Sequence, residues 1–140
     1  MIERRLVLDT NVVLDVLHFS DSSACALAEA IRAGRLRCGA TGPIFGEWER
    51  VLAYPDLAID AARQADLIAA YRAVCDFFPE QAVTDLPRCA DADDQKFLDL
   101  AAMLRVPLVS RDRAVLKLRR RCATRFPILT PQAAAGWLAA

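Results

Sequence analysis

A chain of 140 residues, 55% hydrophobic and 26% charged, can bury a sizeable core and is too apolar to remain disordered. Eighteen basic residues balance eighteen acidic ones, which excludes a general basic footprint for nucleic acid, so any polyanion must be held locally. No apolar run approaches the roughly 20 residues that span a bilayer. Met-Ile-Glu-Arg-Arg leads straight into a strand rather than into the apolar stretch of a signal peptide, so a cytoplasmic location is expected.

Residues 4–9 read as a buried strand, followed by a short helix over Val12 to Phe19. Ser22 or Ser23 can cap a helix that runs to Ala33, where Gly34 stops it. Leu36 to Thr41 reads as a second strand, and Pro43 suits the first turn of a helix that Pro55 ends near Tyr54. Leu67, Ile68, Tyr71, Val74 and Cys75 recur close to a 3.6 period, which predicts a long helix over Ala58 to Phe78. A weak strand is expected near Ala82 to Thr84, then helix Asp91 to Arg105, strand Pro107 to Ser110, and helix Ala114 to Arg120. Strand Arg125 to Leu129 and helix Pro131 to Leu138 complete the chain. Alternating strands and helices without a linker or repeat imply one domain, an α/β sandwich with a parallel sheet and helices on both faces.

Five cysteines, Cys25, Cys38, Cys75, Cys89 and Cys122, are scattered and form no C-x-x-C pair. Buried, reduced thiols are expected rather than a zinc cluster or a disulfide framework. His18 is the single histidine, expected to be structural or solvent-facing, and this removes a metal-free mechanism that needs paired histidines.

In a parallel sheet, ligands collect outside the carboxyl ends of the strands, near the point where strand order reverses. Asp9 ends the apolar run Leu6-Val7-Leu8, and Asp112 follows "PLVS" in the same way. Glu47 shares a helix face with Ile44, Trp48 and Val51, while Asp94 lies in line with Phe97, Leu98, Ala101 and Leu104. A carboxylate on an apolar stripe is unfavourable without compensation, so Asp9, Glu47, Asp94 and Asp112 are expected to converge. Four acids in one place repel one another unless a cation neutralises them. An all-oxygen set suits Mg²⁺, or Mn²⁺, better than zinc.

Each acid also has a plainer reading. Asp91 with Asp94 imitates a capping box, Asp9 and Asp112 can cap the helices that follow them, and Glu47 can pair with Arg50. Asp15, Glu49 and Asp99 fall off the apolar faces and are expected to be solvated, whereas Trp48, Phe97 and Trp137 are expected in the core.

"LVLDTNVVL", "FGEWERVL", "DADDQKFLDLAA", "PLVSRD" and "ILTPQAAAGWL", taken in this order, resemble the motifs of the PIN-domain ribonucleases. The resemblance is greatest to the toxins of toxin-antitoxin pairs (VapC-like), and it covers nearly the whole chain. It implies a three-layer α/β/α sandwich with a central, mainly parallel sheet. The implied activity is Mg²⁺-dependent endonucleolytic hydrolysis of single-stranded RNA, with Asp9, Glu47, Asp94 and Asp112 as metal ligands. Asn11 and Ser110 would orient these ligands, and Asp91 and Asp93 match acids common in the subfamily. An antitoxin partner and a homodimer are also implied, with the helix Ala58 to Phe78 as a possible dimer surface. Arg111 and Arg113 flank Asp112 and, with Lys117, would meet substrate phosphates beside the metal. The run Arg119 to Arg121 reads equally as a solvated helix face.

Two other enzyme classes fit less well. A haloacid-dehalogenase-type phosphatase has a second aspartate two residues after its nucleophile, where this chain has Asn11, and a response-regulator receiver needs an acid pair and a lysine not evident here. A PIN-like module that binds RNA or protein without turnover is the remaining alternative.

Overall fold

The computed structural model describes residues 4–140, so the Met1–Glu3 lead-in lies outside the described residues. Five strands form one parallel sheet: β1 Arg4–Leu8, β2 Leu36–Ala40, β3 Cys75–Phe77, β4 Leu108–Val109 and β5 Ile128–Leu129, in the order β3-β2-β1-β4-β5. Leu6, Val7 and Leu8 are at most 1% exposed, the consequence of a central strand covered on both faces. Strand order grows outward from β1 to β3 and then turns back to β4 on the other side of β1. With right-handed crossovers, that reversal puts the helices before and after it on opposite faces.

On the first face lie α1 Thr10–Leu14, α2 Cys25–Arg32, α3 Gly42–Leu52 and α4 Ala61–Val74. On the other lies α5 Gln95–Leu104, laid against β1 and β4. Gly39 leaves the room for it, since a Cβ there would come within 2.9 Å of the Leu104 Cδ1. Short helices α6 Arg113–Leu116 and α7 Arg119–Cys122 join β4 to β5, and α8 Pro131–Ala139 packs against α2. The three-layer α/β/α architecture expected from the sequence is the one observed. No helix among the described residues is long and apolar enough to cross a membrane.

Several boundaries move for identifiable reasons. The long helix expected over Ala58 to Phe78 is α4 followed by β3, because Cys75, Asp76 and Phe77 pair in parallel register with Cys38, Gly39 and Ala40. The weak strand at Ala82 to Thr84 is absent; β3 has taken the sheet edge instead. The first helix starts at Thr10, on the carbonyl of Asp9, and passes into a π-helical turn over Asp15–Phe19. Asp21, not Ser22 or Ser23, caps the next segment by accepting from the Ser23 N–H at 2.9 Å. That segment begins as a 3-10 turn over Ser22–Ala24 and continues as α2. Gly34 ends it as expected, at φ +75°. The helix expected over Ala114 to Arg120 is broken into α6 and α7.

Trp48, Tyr71 and Phe97 are 1% exposed, and the rings of Phe45, Trp48 and Tyr71 pack together between α3 and α4. Trp137 is half-buried under the Arg4 guanidinium. All five thiols are free, and four are buried; Cys25 is exposed, contrary to expectation. Burial raises the Cys75 thiol to about 12, so it stays protonated.

Candidate active site at the sheet reversal

The crevice where strand order reverses lies beyond the carboxyl ends of β1 and β4, and Asp9 and Asp112 both sit there. Asp9 remains in the sheet through its N–H, which donates to the Val109 carbonyl at 3.0 Å. Its side chain is 5% exposed and accepts from the Ser110 hydroxyl at 2.7 Å. Burial raises its pKa, hydrogen bonds from Ser110 and the Asn11 backbone oppose this, and the Glu47 and Asp112 charges add to it. Ser110, fully buried, also accepts the Asp112 N–H at 3.0 Å and so ties the ends of β1 and β4 together. The Asn11 side chain is exposed and bonds to none of the four carboxylates; only its backbone reaches Asp9.

Asp94 closes a 3-10 turn over Ala92–Asp94 just before α5. Asp91 is the cap of that turn, accepting the Asp93 N–H at 3.0 Å. Asp94 makes no side-chain cap, so a capping box does not account for it. It is 9% exposed, and its pKa is pushed up to about 7 by burial first and then by the charges of Asp9, Asp91, Asp112 and Glu47. Asp9 and Asp94 therefore both lie within reach of the Glu47 and Asp112 charges. The exposed Asp93 contributes its backbone carbonyl, which accepts from Lys96 Nζ.

Like Asp9, the other two acids are engaged. Asp112 caps α6, its Oδ1 accepting from the Ala114 N–H at 2.8 Å. Glu47, on α3, pairs not with Arg50 but with Lys96, whose Nζ lies 2.7 Å from Oε1, while the Thr10 hydroxyl donates to Oε2. Neither Thr10 nor Lys96 stood out in the sequence. The available signal was Lys96 itself, the one cation inside the acidic segment "DADDQKFLD".

Asp15 is a correction. It is 3% exposed rather than solvated, and Arg111 Nε lies 2.6 Å from its Oδ2. Burial raises the Asp15 pKa and the Arg111 charge opposes the rise. Arg111 is thus held in an ion pair, while Arg113 and Lys117 are exposed without a partner among the described residues. Asp99 is half-buried and accepts from Gln95, Glu49 is solvated, and the half-buried His18 ring packs on Phe19.

Among the described residues no three acidic, histidine or cysteine side chains surround one point as a finished cage. The donor chemistry still fits a hard divalent cation. The oxygens are carboxylate, the Asp94 side chain accepts no hydrogen bond among the described residues, and Mg²⁺ is commonly held by one or two carboxylates with waters completing its shell.

The fold defines an α/β protein with neighbouring acidic side chains at its strand-order reversal. A family model described as PIN domain matches residues 5–114, and the chain belongs to the PIN-domain family. The fold is similar to that of a chain in the crystal structure of VapBC2 from Rickettsia felis bound to a DNA fragment from their promoter. The TM-score is 0.60 at 9% identity, over 90% of this chain and 98% of that one. No curated protein matches the sequence.

Proposed function

We propose that the protein is a Mg²⁺- or Mn²⁺-dependent endoribonuclease that hydrolyses phosphodiester bonds in single-stranded RNA, as the toxin of a toxin-antitoxin pair. Membership of the PIN-domain family and the fold shared with a VapBC2 chain support this reading. The observation that carries it is Asp94: a buried carboxylate, without a hydrogen bond and raised to about 7, facing the charges of Asp9, Asp112 and Glu47.

Asp9 and Asp94 would hold the ion, with Asp112 and Glu47 at the margin of the cleft. When bound, the ion would supply an acidified water and stabilise charge on the phosphate oxygens. Ser110 fixes Asp9 by its hydroxyl and Asp112 by its backbone, which keeps the two strand ends in register with the scissile group. Arg113 and Lys117 offer free cations beside Asp112 for the RNA backbone. The antitoxin would cover this cleft. A homodimer would form across the outer side of α4, where Ala65, Ala69 and Ala73 are exposed beside the half-buried Ile68.

Incubation of mixed single-stranded RNA with the protein tests the nuclease. Cleavage is expected with Mg²⁺ or Mn²⁺, none in excess chelator, and a loss of at least about 100-fold in Asp94→Asn. Cleavage unchanged by chelator rejects metal catalysis. The engaged state of Glu47 and Asp112 favours a second reading, a PIN-like module that binds RNA or protein without turnover. RNA retention with no cleavage by wild type in any metal would establish that reading instead.

A further inference from the structure

We propose that Lys96 is a built-in counter-charge of the acidic cleft: a positioning residue that holds Glu47 and stands in place of a second divalent ion, so that the protein binds a single ion. The proposal rests on the metal-dependent reading above and says what that reading leaves open, the number of ions.

It follows from an inventory of carboxylate oxygens. Both oxygens of Glu47 are taken, Oε1 by Lys96 Nζ at 2.7 Å and Oε2 by Thr10. Asp112 Oδ1 is taken by the N–H of Ala114, and Asp9 Oδ2 accepts from Ser110. Of the four acids only Glu47 meets a cation; Asp9 and Asp112 are held by neutral donors alone and the Asp94 side chain by none among the described residues, so these three keep their charge for an exchangeable ion. That set is enough for one Mg²⁺ whose shell is completed by water.

Lys96 is not a mobile surface cation that happens to lie near an acid. Its side chain is 16% exposed and is held from three directions, by Glu47, by the Asp93 carbonyl and by the Phe97 ring at 5.0 Å. An ammonium held in this way neutralises one carboxylate permanently and repels a divalent ion from the Glu47 side of the cleft. Glu47 thus carries a resident side-chain charge, while Asp9 and Asp94, which no cation pairs among the described residues, are left to an exchangeable one.

The test is a Mn²⁺ titration of the full chain, with free Mn²⁺ followed by electron paramagnetic resonance, on wild type, Lys96→Arg, Lys96→Met and Lys96→Gln. Circular dichroism reports which variants fold. One ion per chain is expected for wild type and K96R, and two for K96M and K96Q, in which Glu47 is released. Two ions on wild type would overturn the role of Lys96 and leave metal dependence standing, as would a single ion on folded K96M and K96Q. No Mn²⁺ on wild type at all would overturn both. If neither neutral variant folds, Glu47→Gln is titrated instead: one ion, as in wild type, is expected because Lys96 already withholds Glu47 from the metal, and loss of that ion overturns the role of Lys96.

Discussion

Asp94 gives up its proton only near neutral pH, well above an exposed carboxylate. Its folded pKa is raised from the usual 3.8 to about 7, and that of Asp9 is raised too. The folded state therefore binds more protons than the unfolded chain in that interval, so metal-free stability is greatest near the low end and falls as pH rises toward 7 and above. Melting in chelator is expected at lower temperature at about pH 8 than at about pH 5, with Mg²⁺ restoring more at the higher pH. Asp94→Asn should flatten the profile; a flat wild-type profile would show that Asp94 is not held in this way. Asp15 and Arg111 carry a different expectation. Arg111→Met leaves a buried carboxylate unpaired, at a cost of about 1–3 kcal/mol, toward the low end because Arg111 is half exposed. The loss should shrink on acidification, and Asp15→Asn combined with Arg111→Met should lose less than the two singles added. Additive losses in urea melts would show that the pair is not coupled.

Among the elements, β3 shows where pattern and structure part. Helical periodicity continued through Val74 and Cys75, so the sequence offered no local reason to stop before Pro79. The stop is tertiary: Asp76 on β3 meets Arg5 on β1 at 2.6 Å and Arg37 on β2 at 3.0 Å, a charge ladder across three strands. The Arg5 hydrogen bond, then Arg37, holds the Asp76 pKa below the usual range against the opposing effect of burial. Asp76→Asn should cost about 1–3 kcal/mol at neutral pH, and the difference from wild type should vanish as the pH falls below that range. An unchanged urea midpoint at neutral pH would remove the ladder from the account of why β3 forms. The strand ends were legible by contrast, because an apolar run followed by Asp9 or by Ser110 and Asp112 is a local signal. The partners Thr10, Lys96 and Asp15 were not. Each acquires its meaning from a residue far away in sequence, as Lys96 does from Glu47.

At the scale of the molecule, the outer side of α4 is the plainest candidate for self-association. Ala65, Ile68, Ala69 and Ala73 line a shallow apolar surface there beside Arg72. Sedimentation velocity is expected to show a dimer that Ile68→Asp converts to a monomer; a monomeric wild type at the same concentration removes this surface from consideration. Position along the chain has a further effect, which follows from β1 lying between β2 and β4. Parallel strands cannot pair until the intervening helices exist, and such non-local pairing is slow. On the ribosome, the strand-order reversal next to Asp9 is incomplete until β4 and Asp112 have emerged. Under the proposed nuclease activity, a nascent chain would lack a complete site for most of its synthesis and would threaten its own translation only near the end.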